Sequence, residues 1–345
     1  MRRLLAGLAM AAALLPPPGG VPVSLESIAA PSISAPRWIV YDVTADVVLA
    51  SRNPDEESAM ASVTKIMSAL VVRDQTELDE RVRASRTAIS VGESEIGLTE
   101  GEVWPVEDLL EAMLIRSGND AAMALAEHVG GSVEGFAAMM NAKAISLGLS
   151  HSHFVNPHGL DADGHYSTAR DLSVMATELL GDPVLAEIVR TRFVSFRPDS
   201  SGIPRQARTT NRLLGVFPGV VGIKTGFTND ALLVLVAALE RNGRTIVTVV
   251  MGSDDHFADT AELLAFGFGT VTLRDRLGAP LLAEEGGGGV GGSSRFSEAE
   301  EARLSAVLEL PDGHSALTPP NRTERGVRIR ENLRAITPVV LGGSG

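Results

Sequence analysis

The sequence predicts an α+β fold: an antiparallel sheet packed against helices, with an all-helical subdomain. Two observations carry this prediction. Strand-like runs lie at both ends of residues 35–270, and helix-compatible runs lie between them. The later strands are joined by short turns containing Gly or Asn, which favours antiparallel pairing. A sheet drawn from both ends of the chain then has to pack against the helices formed in the middle.

The elements follow in order. Arg37–Val43 and Asp46–Ala50 read as two strands with a turn at Thr44-Ala45. Ser62–Val72 is an apolar, helix-compatible run with a serine where an N-terminal cap belongs. Val106–Arg116 and Asp120–His128 read as helices, with Ser117-Gly118-Asn119 in the turn between them. Ser132 can cap a helix over Val133–Leu147, which Gly148 stops. Thr168–Leu180 reads as another helix, ended by Gly181. Gly219–Lys224, Ala231–Leu239 and Arg244–Met251 are rich in Val, Ile and Leu and read as strands. Ala258–Phe268 returns to helix.

The flanks differ in kind. Arg2 and Arg3 precede an unbroken apolar run, Leu4–Leu15, and then a Pro/Gly-rich break at Pro16–Gly20. This is the layout of a secretory signal, expected over residues 1–25. The run is short for a transmembrane helix, and an uncleaved N-terminal anchor is the alternative. The main folded domain is expected over residues 35–275. Residues 284–295 include Gly-Gly-Gly-Gly-Val-Gly-Gly-Ser-Ser and read as a flexible linker. Residues 296–345 are polar with short apolar pieces, a small β-like module or a partly disordered tail.

Composition excludes several functions. The 345 residues contain 30 Lys plus Arg and 43 Asp plus Glu, a formal net charge of −13. Nucleic-acid binding needs clustered positive charge, so no nucleic-acid partner is expected. With no cysteine there is no disulfide, thiolate metal site or Cys nucleophile. Four of the seven histidines, His151, His153, His158 and His165, fall near Asp161 and Asp163. This group reads as an ordered loop of His, Asn, Pro and Gly, so neither a metal nor a cofactor is expected.

Three short segments carry the chemistry. In Ser62-Val63-Thr64-Lys65 the spacing of three puts the hydroxyl and the amine on one helical face. A serine hydroxyl is a weak nucleophile that needs a neighbouring base, and a lysine serves once burial or a second cation lowers its pKa. In Ser117-Gly118-Asn119 a hydroxyl could relay a proton and an amide could hold a carbonyl or the lysine. In Lys224-Thr225-Gly226, at a strand end, the Lys offers charge to a carboxylate and the Thr a hydroxyl. The Gly lets a peptide backbone come close. Each segment alone is what a capped helix, an ordinary turn or a strand end would also produce. The ordered set is far more specific.

The chain resembles the serine-type D-alanyl-D-alanine carboxypeptidases, the low-molecular-mass penicillin-binding proteins. The resemblance spans residues 35–270. It includes Ala61–Lys65, Ser117–Ala122, Phe154–Leu160 and Gly222–Thr228, with Ser-Gly-Asn where the signature has Ser-Asp-Asn. It implies the penicillin-binding, β-lactamase-like transpeptidase fold. It implies that Ser62 attacks the carbonyl between two terminal D-alanines and that Lys65 takes its proton. Ser117 and Asn119 would shuttle that proton and position substrate. Lys224 and Thr225 would face the terminal carboxylate, and the N–H groups of Ser62 and Phe227 would form the oxyanion hole beside Gly226. The implied partners are a peptidoglycan stem peptide ending in D-Ala-D-Ala and β-lactams as covalent inhibitors. The implied location is outside the cytoplasm, periplasmic, extracellular or attached to the envelope.

The chain departs from that pattern in places. Ala231-Leu232 replaces a common Ala-Gly. His256 stands where an Arg commonly precedes a Phe and is assigned to substrate binding in its place. A C-terminal amphipathic membrane helix is not visible, since Ile336–Leu341 is too short, so membrane-surface association stays open. Two alternatives remain. One is a catalytically weak penicillin- or peptidoglycan-binding protein. The other is a serine β-lactamase, disfavoured because none of Glu127, Glu134, Glu178 and Glu187 has an Asn four residues on.

Overall fold

The computed structural model describes residues 30–196 and 204–277. The export segment expected at 1–25, the linker at 284–295 and the region 296–345 lie outside the described residues. In chain order, a hairpin of β1 (Arg37–Asp42) and β2 (Val47–Arg52) leads to a 3-10 turn, Ala61–Thr64. That turn runs straight into α1 (Lys65–Gln75). Two short paired strands follow, β3 (Arg81–Arg83) and β4 (Val103–Pro105). Next come α2 (Val106–Glu111), a π-helical turn at Ala112–Arg116, α3 (Asn119–Gly130) and α4 (Val133–Ser146). Then come α5 (Ala169–Gly181), α6 (Pro183–Val189) and a ribbon of β5 (Phe193–Phe196) with β6 (Arg205–Arg208). The last elements are β7 (Val220–Thr228), β8 (Leu232–Arg241), β9 (Arg244–Ser253) and α7 (His256–Leu277).

The predicted α+β architecture is the observed one. The main sheet has five strands in the order β2-β1-β9-β8-β7, with every neighbouring pair antiparallel. Strands from the two ends of the folded region meet where β1 pairs with β9, from Arg37 opposite Met251 to Asp42 opposite Ile246. Alternate side chains then go to opposite faces. Ile39, Val236 and Val247 join the core shared with α1 to α5. Val40, Leu235 and Val250 join a second core with Phe257, Leu263 and Leu264 of α7. Both faces of the inner strands are thus apolar, which is why β8 reads as a continuous Leu/Val/Ala run.

Local chemistry sets the helix starts. The Ser132 hydroxyl accepts from Gly135 N–H, and the Thr168 hydroxyl accepts from Asp171 N–H. Asp182 accepts from Val184 and Leu185 N–H, with Pro183 in the first turn of α6.

The structure corrects the sequence reading at several points. Ser62 is not a cap; it is the second residue of a 3-10 turn whose N-terminal flank, Met60, makes no side-chain capping bond. Lys224-Thr225-Gly226 lies inside β7 rather than at a strand end, because pairing with β8 continues to Thr228 opposite Leu232. The final helix begins at His256, where the Asp255 carboxylate accepts from Phe257 and Ala258 N–H. α6 and the short pairs β3/β4 and β5/β6 were not anticipated.

Candidate active site

Three segments distant in sequence converge at the 3-10 turn. Lys65 is fully buried, and its Nζ lies 2.8 Å from Ser62 Oγ, 2.7 Å from Asn119 Oδ1 and 2.7 Å from the His158 carbonyl oxygen. The Asn119 amide is oriented by its other end, since Nδ2 donates to the Gly92 carbonyl at 3.0 Å. Burial pushes the Lys65 ammonium well below its ordinary range, and the Lys224 charge adds to that push. Asp120 and Glu93 oppose it and are overcome.

In its uncharged form, the form that this shift favours, Lys65 would fix the direction of these hydrogen bonds. It has two N–H donors and one lone pair. The Asn119 and His158 oxygens carry no hydrogen and can only accept, so they take both donors. The lone pair of that uncharged form would be left for the Ser62 hydroxyl, 2.8 Å away. A hydroxyl donating to an uncharged amine is the arrangement from which an alkoxide nucleophile forms.

The histidine-containing loop supports this turn. Val155 N–H donates to His165 Nδ1, so the His165 Nε2–H donates to Thr64 Oγ1 at 2.8 Å. The Thr64 hydroxyl in turn donates to the Ala61 carbonyl at 2.8 Å. Burial lowers the His165 pKa to about 4, so the ring stays neutral and the chain of bonds keeps one polarity near neutral pH. Asn156 Oδ1 accepts from His158 and Gly159 N–H, which curls the loop and presents the His158 carbonyl to Lys65. Gly159 has φ +89°, and a Cβ there would stand 2.0 Å from the Ala61 carbonyl oxygen. Among the described residues no group of three or more His, Cys, Asp or Glu side chains is arranged to hold a metal.

The opposite wall is β7, an edge strand of the main sheet. A Cβ on Gly226 would lie 3.0 Å from Ala61 Cβ and 3.1 Å from Ser62 N, so the strand backbone rides directly over the turn. Lys224 is buried, and its Nζ donates to the Thr225 carbonyl at 2.9 Å. Burial lowers its pKa to about 7. The Thr225 and Thr210 hydroxyls share a hydrogen bond of 2.6 Å. Phe227 is 60% exposed at the mouth.

Two expected residues make no hydrogen bond to this cluster among the described residues. Ser117 has φ +71° at the end of the π-helical turn and is buried. Among the described residues its hydroxyl has no hydrogen-bond partner. His256 is buried in the first turn of α7, with its ring 4.0 Å from that of Phe257. No hydrogen bond or ring contact among the described residues joins it to Lys224 or Thr225. Burial lowers its pKa to about 4, so it brings no charge at neutral pH. Sequence reasoning missed the His158 carbonyl, the Gly92 carbonyl and the Thr64–His165 pair. The segment Phe154–Leu160 was the one signal pointing to the first of these.

Residues 25–255 match the family model described as D-alanyl-D-alanine carboxypeptidase, peptidase family S11. The chain is 37% identical over 229 residues to D-alanyl-D-alanine carboxypeptidase DacF of Bacillus subtilis, covering 64% of this chain and 59% of that one. It is 35% identical over 258 residues to DacC of Escherichia coli, covering 70% of this chain and 63% of that protein. It is 34% identical over 260 residues to DacB2 of Mycobacterium tuberculosis, covering 73% and 86%. The chain therefore spans about three fifths of the Bacillus and Escherichia relatives. The crystal structure of the Streptomyces K15 DD-transpeptidase superposes with a TM-score of 0.67 at 29% identity, over 70% of this chain and all of that one. A D-alanyl-D-alanine carboxypeptidase structure from Mycobacterium tuberculosis gives 0.67 at 32% identity, over 71% and 95%.

Proposed function

The chain belongs to the D-alanyl-D-alanine carboxypeptidase family of S11 peptidases, and from that premise we propose that it removes the terminal D-alanine of peptidoglycan pentapeptide through an acyl-enzyme on Ser62. The observation that carries this reading is the fully buried Lys65 amine within hydrogen-bond reach of the Ser62 hydroxyl.

Lys65 accepts the Ser62 proton as Oγ attacks the carbonyl between the two D-alanines. The N–H groups of Ser62 and Phe227 take the developing negative charge. Lys224 and the Thr225 hydroxyl hold the terminal carboxylate, while Asn119 keeps Lys65 in register. Ser117 carries the proton toward the departing amine. D-alanine leaves, and water, deprotonated by the same lysine, hydrolyses the ester. A β-lactam enters the same path and stays on Ser62. A neutral His256 adds no charge to the carboxylate site, so Lys224 supplies it. The short basic and apolar segment at the N-terminus supports export, with the reaction in the periplasm, outside the cell or on the envelope. Among the described residues no helix is long and apolar enough to cross a membrane.

The test is release of D-alanine from a synthetic pentapeptide, run beside labelling by a fluorescent penicillin. Turnover and labelling that both vanish in Ser62→Ala support the proposal. Labelling without D-alanine release identifies a binding protein instead, and rapid penicillin hydrolysis identifies a β-lactamase.

A further inference from the structure

Ser68 is a buried hydroxyl that the proposed reaction leaves unused. It lies three residues after Lys65 on α1, on the same helical face, and is 1% exposed. Its neighbours along the helix, Ile66, Met67, Ala69 and Leu70, all belong to the main core. A serine inside such a helix usually returns its hydroxyl to the carbonyl one turn back, and alanine is the better helix former there. This hydroxyl instead leaves the helix and donates to the Pro157 carbonyl at 2.6 Å.

That bond sits beside the one that matters for the chemistry. Lys65 Nζ donates to the next carbonyl of the same loop, that of His158, at 2.7 Å. Two side chains one turn apart on α1 therefore grip two consecutive peptide groups. The loop beyond them is internally tied. Asn156 Oδ1 accepts from His158 and Gly159 N–H, and Asn156 Nδ2 donates to the Leu160 carbonyl at 2.9 Å. A curl tied in this way shifts as one piece, and Ser68 fastens it to the helix at Pro157. The charged and titratable groups that act on Lys65 come from other elements: Lys224 from β7, Asp120 from α3, Glu93 from the loop before β4, and the His158 imidazole. Burial lowers that imidazole to about 3, so it is neutral. Ser68 carries no charge and reaches Lys65 through the loop backbone.

Resting on the carboxypeptidase reading, we propose that Ser68 is a positioning residue for acylation: by holding the Pro157 carbonyl it holds the His158 carbonyl against Lys65, and so keeps the amine aimed at Ser62. A carbonyl oxygen at that distance favours the ammonium form over the amine. Releasing it makes Lys65 easier to deprotonate and leaves its lone pair less well directed.

The second-order rate of acylation by a fluorescent penicillin is measured on the full chain, wild type and Ser68→Ala, from about pH 4.5 to 9. In Ser68→Ala the acid limb, where Lys65 gains its proton, is expected to move to lower pH, and the maximum to fall about three- to tenfold. The alkaline limb, set by Lys224, stays in place and serves as the control within the same titration. A purely structural loss lowers the amount of folded enzyme and scales the whole profile without moving the acid limb. An acid limb that stays at the wild-type pH, or moves upward, overturns the positioning role whatever the height of the maximum. Should Ser68→Ala fail to fold, Ser68→Cys carries the same test, because a thiol is a weak donor and the same displacement is expected. Absence of acylation in the wild type overturns the carboxypeptidase reading instead, and the role of Ser68 falls with it.

Discussion

At the scale of single residues, one lysine must be uncharged and another charged for the proposed reaction to run. Lys65 is fully enclosed and held off its ordinary pKa mainly by burial, whereas Lys224 falls to about 7. Replacing Lys65 with Met removes the base and leaves an apolar side chain of similar length facing the Asn119 and His158 oxygens. Acylation of Ser62 by a fluorescent penicillin is then expected to slow by about 100- to 10,000-fold, the usual worth of a positioned base. An unchanged thermal midpoint would show that the loss is chemical.

Lys224 sets a pH dependence whose sign is fixed. It must be protonated to hold a carboxylate, so kcat/KM falls as pH rises through about 7 in the free enzyme. Lys224→Arg, which stays charged, is expected to remove that alkaline limb while lowering the maximum. Stability moves the other way. Between the folded value of about 7 and the ordinary 10.5, the unfolded chain binds the extra proton, so the Lys224 contribution to stability rises with pH. Urea titrations at pH 7, 8 and 9 should show a steeper rise in wild type than in Lys224→Met.

At the scale of elements, the site depends on backbone surfaces that touch. Gly159 passes the Ala61 carbonyl so closely that Gly159→Ala must displace the turn bearing Ser62. A loss of about 2–4 kcal/mol in stability and of most penicillin labelling is expected, by chemical denaturation and gel fluorescence. Ser132→Ala is the contrast. It removes one capping bond to Gly135 N–H on α4, costs about 1 kcal/mol and leaves labelling at the wild-type rate.

The elements also show what was legible in advance. Most of the long strands and helices were found within a few residues because their apolar spacing is strong, but the last helix runs on to Leu277 where Phe268 was expected. The three-residue strands β3 and β4 carry no alternation to read, and α6 is only seven residues long. The residue types of the site, Ser62, Lys65, Asn119 and Lys224, were all visible in three short segments. The acceptors that orient Lys65 and Asn119 include the main-chain oxygens of His158 and Gly92, which any residue could supply. No side-chain pattern announces them.

For the molecule as a whole, the sheet order joins β1 to β9, so the N-terminal hairpin and the late strands stand or fall together. α7 covers the second core through Phe257, Leu263 and Leu264. A chain ending at Leu277 is expected to keep one cooperative unfolding transition and full penicillin labelling. One ending at Ser253 uncovers that core and is expected to lose both, as read by circular dichroism and gel fluorescence. The expectation agrees with the Streptomyces structure, which matches over its whole length while using 70% of this chain.

The closed pocket around Lys65 also times the chemistry. In an extended chain that amine is solvated and carries a proton, and the neighbouring hydroxyl is as inert as any other serine. Reactivity appears only after the 151–165 loop, the turn at Asn119 and the β7 edge have shut out water. A polypeptide built this way stays unarmed for the proposed reaction until folding is complete, so labelling by a penicillin is expected to count finished molecules.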